Sequence, residues 1–251
     1  MTITSYDSAI FGPLFSDDRI AELFSDERRV QAMLTVEVAL AKTEGELGII
    51  PEEAATAIAH AAADFTPDLH ALGNAARQTG VPVVGLLEQL RNQLDTEAGQ
   101  YLHYGATSQD IVDSALILHI RDAIALIEVE LTDLIERLAS FVDKHRYTLI
   151  SARTRSQQAL PTTLGLKAAV WLMPLIRHRQ RLGELKSRLL VVQFGGAVGT
   201  LAALGAHGTD IADNLARRLG LSAPSISWHT QRDNLTEFAG WLSLVTGSLG
   251  K

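Results

Sequence analysis

The sequence predicts an all-α protein, with a small N-terminal helical domain followed by a bundle of long helices. Three observations predict it. The 55 residues between Gly105 and Pro161 contain neither glycine nor proline, the two strongest helix breakers. Within that run Ile117, Ile124, Leu131 and Leu138 recur every seven residues, and Ile120, Ile127, Leu134 and Phe141 follow each by three. That is a four-heptad seam, the pattern of a helix gripped along its length by others. Strand signals are scarce throughout. From Thr107 to about Lys144 the rod would measure roughly 55 Å at ~1.5 Å per residue. Such a rod outgrows an ordinary domain of this size and belongs in a bundle shared between subunits.

The elements follow in order. Residues 1–25 read as a lead-in with a turn at Phe11-Gly12-Pro13-Leu14-Phe15, and Ser16 or Asp17 can cap a short helix. Ser25-Asp26-Glu27-Arg28 opens a helix with early acids that runs to Gly45 and Gly48. Pro51 opens another through Ala63. Thr66-Pro67-Asp68 starts the next, Gly80-Val81-Pro82 breaks it, and Val83–Leu94 is a short helix. Residues 1–102 therefore form the first domain and 103–251 the second, incomplete one. After the rod, a second long helix is expected from Thr162 to about Phe194, with Pro174 inside it to kink it or cost a hydrogen bond. Gly195-Gly196-Ala197-Val198-Gly199 ends it. Asp210–Leu219 is shorter, and a third long helix begins near Thr230. Its apolar pattern still runs at Leu249, so the chain reads as ending inside an element.

Composition narrows the function classes. The chain has 251 residues, 47% of them hydrophobic, which is material for a large core. A net charge of −7 gives no sign of a nucleic-acid surface. The absence of cysteine excludes disulfides, thiolate nucleophiles and zinc–cysteine sites. No secretory signal and no membrane span are evident, so a cytoplasmic protein is expected. The histidines show no metal-ligand spacing, and no nucleophile-elbow motif is present.

Three polar segments can carry chemistry. His103-Tyr104-Gly105-Ala106-Thr107-Ser108-Gln109-Asp110 opens the rod. There Thr107 or Ser108 can cap the helix, and free N–H groups and hydroxyls make a natural carboxylate site. An ordinary cap explains the spacing equally well. In Ala152–Pro161, Arg153 and Arg155 with hydroxyls and amides can clamp a carboxylate by forked hydrogen bonds, or form a solvated basic turn. Ser227–Asn234 opens the last helix and sets His229 near Arg232, with Thr230 as a possible cap. The glycine-rich 195–199 run lacks a preceding strand and a following Lys-Ser/Thr, so it reads as a turn rather than a phosphate loop.

Read together, HYGATSQDIVDSA, SARTRSQQALPTTLGLKAA, QFGGAVGTLAALG and SWHTQRDNLTEFAGWL resemble the fumarase/aspartase superfamily over nearly the whole chain, and within it the carboxymuconate cycloisomerases most. Arg155 stands where the lyases of the superfamily carry a histidine, which favours the cycloisomerases over the fumarate-releasing enzymes. The superfamily's third signature, a Gly-Ser-Ser loop bearing the catalytic serine, has no match here, so the chain reads as truncated and is expected to be inactive alone.

The resemblance implies conversion of 3-carboxy-cis,cis-muconate to its lactone in aromatic degradation, with no metal or redox cofactor. A sulfomuconate cycloisomerase, a fumarate-releasing lyase and a non-catalytic helical assembly protein are the alternatives. It implies a small polycarboxylate as substrate and a homotetramer with sites shared between subunits, and no nucleic-acid or membrane partner. Thr107 and Ser108 are the expected carboxylate ligands. Arg153, Thr154 and Gln157 are expected to line the same site, with His229 and Arg232 as further binding candidates. The catalytic acid is unassigned, with His229 as the candidate.

Overall fold

The computed structural model describes residues 4–6 and 8–251. Residues 1–3 and 7 of the expected lead-in lie outside it. The helices are α1 Gly12–Phe15, α2 Asp18–Leu23, α3 Asp26–Glu46, α4 Glu52–Ala63, α5 Leu69–Thr79, α6 Val83–Arg91, α7 Thr96–Gly99, α8 Ser108–Lys144, α9 Leu164–Leu189, α10 Gly208–Leu219 and α11 Asp233–Leu249. The strands are β1 Leu149–Thr154 and β2 Gln157–Thr163, and a 3₁₀ turn spans Ala202–His207. No helix among the described residues is long and apolar enough to cross a membrane.

Contacts divide the chain differently from the boundary expected at 102/103. One unit is Met1–Ala123 with Leu190–Gln231, and the other is Ile124–Leu189 with Arg232–Lys251. The rod therefore contributes to both units. The C-terminal part of the first unit returns to pack on α3, an association between distant segments that no local pattern announces.

In the first unit α3 is the central element. Ser25 caps it, its hydroxyl accepting from the Arg28 N–H at 3.2 Å. Val30, Met33, Leu34, Leu40 and Ala41 are buried at helical spacing. Helix α4 crosses closely where Gly45 lies, since a Cβ there would come within 2.9 Å of the Ala55 side chain. Helix α10 buries Ile211, Leu215 and Leu219, and its Arg218 bonds Thr43 and pairs with Glu46 at the end of α3. From α8, the Arg121 guanidinium donates to the Leu219 carbonyl at 2.9 Å, satisfying an end carbonyl of α10.

In the second unit α9 and α11 pack antiparallel. The Trp241 indole donates to the His178 carbonyl at 2.9 Å, and the Arg188–Glu237 pair closes the other end at 2.5 Å. Lys186 pairs with Glu128 of α8. Pro174 sits inside α9 as expected and leaves the Val170 carbonyl without its helical donor, in a stretch where Val170 and Met173 are exposed.

The scarcity of strand signals misled at one place. Residues 149–163 form an antiparallel hairpin, with Thr154 paired to Gln157 and an irregular register between Ser151 and Arg153. Its two turn residues, Arg155 and Ser156, have φ of 44° and 67°. Such turns normally announce themselves with Asn or Gly, so no local signal marked this one. The hairpin also delays α9 to Leu164 rather than Thr162. The helix stops at Leu189 because the chain then bonds to Ser222, through Leu190 O and Val192 N.

Glu37 and Glu44, seven residues apart on α3, are both buried. Burial, and secondarily the charge of Glu37, pushes Glu44 up to about 9 from 4.5. The folded state therefore keeps a proton that the unfolded chain releases above pH ~4.5, so stability falls as pH rises toward 9. Urea unfolding of the protein and of Glu44→Gln is expected to show a gap that widens in favour of the variant between pH 6 and 9, by up to ~1.4 kcal/mol per pH unit. Parallel midpoints across that range would exclude a buried, protonated Glu44.

Candidate functional site

The start of α8 is built by a backbone that few residues tolerate. Gly105 has φ of 67°, and a Cβ there would come within 2.5 Å of the Leu204 side chain. A Cβ on Gly196 would lie 2.9 Å from the Gly105 carbonyl. Two glycines thus let the loop before α8 and the glycine-rich 195–199 loop pass in contact.

One carboxylate ties these loops together. Asp110 has a side chain only 1% exposed. Its Oδ1 accepts from the Gly195 N–H (3.0 Å), the Gln193 Nε2 (3.0 Å) and the His229 Nε2 (2.7 Å). Its Oδ2 accepts from the Gly196 N–H (2.9 Å) and reaches back to the Thr107 N–H (3.1 Å). The last bond is half of a capping box, the acid at the third helical position serving the residue before the helix. The Gly195 and Gly196 N–H groups are both consumed by Asp110, so the loop cradles a side chain of its own chain, in keeping with the turn expected there.

A closed ring of hydrogen bonds surrounds this carboxylate. The Gln193 Nε2 also donates to Ser227 Oγ at 3.0 Å, and Ser227 Oγ lies 3.1 Å from His229 Nδ1. With Asp110 fixing the proton on Nε2, Nδ1 accepts from the Ser227 hydroxyl. Gln193 is locked in turn, since its Oε1 accepts from the Trp228 N–H at 2.7 Å and its backbone bonds Ser114 Oγ at both ends. Both ring nitrogens of His229 are thereby committed to the protein.

The hydroxyls of Thr107 and Ser108 and the N–H groups of Ser108 and Gln109 have no partner among the described residues. These groups are half-buried at the N-terminus of a 37-residue helix, where aligned peptide dipoles favour an anion. Four residues upstream, His103 holds its Nδ1 2.6 Å from Glu37 Oε1.

Of the residues expected at the site, Thr107, Ser108 and His229 meet around Asp110 in the first unit. Arg153, Thr154 and Gln157 lie at the tip of the β1–β2 hairpin in the second unit, all three exposed. Arg232 also belongs to the second unit, where its carbonyl accepts from Thr236 at the start of α11. From the sequence Asp110 stood only as the end of the first polar segment, and Gln193, Ser227, Glu37 and His103 were given no role. The Thr-x-x-Asp spacing could have exposed the Asp110 link to Thr107. Nothing local marks Gln193, whose role depends on partners 34 to 83 residues away.

A family of lyases matches residues 15–251. The 3-carboxy-cis,cis-muconate cycloisomerase of Pseudomonas aeruginosa is 47% identical over 245 residues, covering 96% of this chain and 53% of that protein. The solved 3-carboxy-cis,cis-muconate lactonizing enzyme from Pseudomonas putida superposes with a TM-score of 0.92 at 46% identity, covering 97% of this chain and 56% of that one. The fumarate lyase from Mesorhizobium sp. BNC1 superposes at 0.91 with 47% identity, covering 94% and 56%. The chain spans about half the length of the relatives it matches. With its long-helix architecture and its three polar segments, the chain belongs to this lyase family, within the fumarase/aspartase superfamily that its sequence resembles.

Proposed function

We propose that the protein, at the length its gene encodes, is a cycloisomerase that closes 3-carboxy-cis,cis-muconate to 4-carboxymuconolactone without a metal or redox cofactor. The observation that carries this reading is the open donor set at the start of α8. The hydroxyls of Thr107 and Ser108 and the N–H groups of Ser108 and Gln109 have no partner among the described residues, on a helix terminus tied down by Asp110. A substrate with several carboxylates is the chemistry such a terminus accepts. The names carried by the relatives support the same reaction class.

In the reaction a carboxylate oxygen attacks the double bond of the same molecule, and the electron pair moves toward a carbon next to another carboxylate. The site must hold the carboxylates apart, stabilise the enolate-like charge and supply one proton. Thr107 and Ser108 are placed to bind one carboxylate. Arg153, Thr154 and Gln157 are exposed on the hairpin, and we assign them to substrate bound against another copy of the chain in a tetramer. His229, with both nitrogens bonded, suits a positioning role. Arg232 remains a binding candidate by resemblance. A fumarate-releasing lyase is the second reading, favoured by the Mesorhizobium relative.

Three outcomes are expected. The full-length protein should abolish the ultraviolet absorbance of 3-carboxymuconate and release no fumarate from succinyl adducts, with the reverse result establishing the lyase. Residues 1–251 alone should turn over far more slowly, since misplacing catalytic groups by ~1 Å can itself cost ~10²-fold. In the full-length protein, Thr107→Ala with Ser108→Ala should raise KM on the order of 10²-fold with a smaller change in kcat, since each hydroxyl hydrogen bond to a charged carboxylate contributes ~1.5–3 kcal/mol. An unchanged KM in the folded variant would reduce Thr107 and Ser108 to a helix cap.

A tetramer is supported by apolar side chains left open in the second unit. Val129 is 68% exposed and Phe141 38% on α8, and Leu166, Val170 and Met173 are exposed on α9. Exposed apolar side chains of this kind, gathered on two helices, support an association surface. Sedimentation of the full-length protein at micromolar concentration should give a tetramer, and a stable monomer would refute the shared-site assignment of Arg153.

A further inference from the structure

Helices α3, α4 and α10 leave a groove of about 320 Å³ between them in the first unit, a volume at the lower end of small-molecule sites. None of its lining residues belongs to the site at the start of α8. Gln31, Leu34, Val38 and Lys42 follow one another at intervals of three or four residues, so they line one face of α3 over ~16 Å at ~1.5 Å per residue. Ala59 and Ala62 of α4 and Leu219 of α10 complete the apolar wall. Leu34, Ala62 and Leu219 are buried, and Val38 and Ala59 are half-buried.

Charge is distributed unevenly along this groove. The chain as a whole has a net charge of −7, yet the lining holds two cations, Lys42 and Arg218, and no acid. Arg218 bonds Thr43 and pairs with Glu46, so it lies at the Lys42 end and its charge is answered by the protein. Lys42 has no hydrogen bond or ion pair among the described residues. The other end of the groove, at Gln31, carries no charge. One uncompensated positive charge thus stands at one end of a slot walled by Leu, Val and Ala.

That pattern discriminates among occupants. An inorganic anion would leave the apolar wall wet, and a polycarboxylate would press surplus charge against it. The core of a contact between two copies of the chain is depleted in lysine. A single carboxylate carried on a linear apolar body meets both features, its head at Lys42 and its tail along Val38, Ala59 and Leu34. We propose that this groove is a second ligand site of the protein, selective for monocarboxylates with a medium-length alkyl chain. The proposal stands apart from the cycloisomerase reading, which concerns polycarboxylates at the start of α8.

The test is calorimetric titration of the full-length protein with linear alkanoates from butanoate to dodecanoate. One octanoate is expected per chain, with Kd on the order of 1 mM. Affinity should rise ~2- to 4-fold per added methylene and level off once the chain outgrows the groove. Lys42→Met keeps the aliphatic stem and removes the charge. It should weaken octanoate ~3- to 5-fold, the effect of an ion pair in contact with water, and leave octanamide unchanged. Ala59→Phe, which fills the slot, should abolish octanoate binding. Thr107→Ala with Ser108→Ala should leave it unaltered, which separates the groove from the carboxylate site at α8. Absence of saturable binding, as when the rest of the chain or a second copy fills the groove, would overturn the proposal. So would octanoate binding that is indifferent to Lys42→Met, or that is lost in the Thr107 and Ser108 variant. Lys42 is exposed, so its substitution reports even where Ala59→Phe disturbs packing.

Discussion

The Asp110 carboxylate is the interaction on which the site in the first unit depends. Its two oxygens take five donors from three stretches of chain, namely the loop before α8, the glycine-rich loop and the segment around His229. A buried donor without an acceptor costs ~1–3 kcal/mol, so removing this one side chain would leave several segments without a reason to stay together. An isolated buried charge is costly, whereas one enclosed by oriented N–H groups is held in place by them. The order of the helix terminus follows from that enclosure. With Thr107 N–H engaged by Asp110, the Ser108 and Gln109 N–H groups are the next along the terminus and have no partner among the described residues.

The same physics sorts the titratable residues of the unit. Glu44 has neither a cation nor a donor within reach, so desolvation keeps it protonated. Glu37, on the same helix, finds His103. His229 finds Asp110 and Ser227 and becomes part of the frame. Residue type alone assigns none of these roles, since two glutamates and two histidines divide into a neutral core acid, an orienting carboxylate, a framework imidazole and an imidazole with an open nitrogen. Partners decide, and the partners come from other elements.

The second unit follows a different rule. Its helices are held by packing and by ion pairs such as Lys186–Glu128 and Arg188–Glu237 at their margins. Exposed pairs of this kind contribute little to stability, so the apolar contacts of α9 with α11 carry most of it. The heptad seam tells the same story by its gradient. Ile117, Ile120, Ile124 and Leu131 are buried, Ile127, Leu134 and Leu138 are half-buried and Phe141, at the far end, is exposed.

Local chemistry written into the sequence determined the helices. Ser25, Pro51 and Asp68 mark starts, Gly80 marks a stop, and the glycine- and proline-free run with its seam gives α8 from Ser108 to Lys144. These depend on neighbours one to seven residues away, so one dimension is enough to read them. The family resemblance was legible for a related reason, since its motifs are short and contiguous. The hairpin at 149–163 was not legible, because Arg155 and Ser156 are not residues that favour positive φ and only pairing of the flanking strands holds them there. Nor was the division of the chain inside α8, which arises when α10 folds back on α3. The roles of Gln193, Ser227, Glu37 and His103 were decided by tertiary structure alone. Each depends on burial or on a hydrogen bond whose partner is distant in sequence, and a side chain acquires an acid, a frame or a free nitrogen only when folding has chosen what surrounds it.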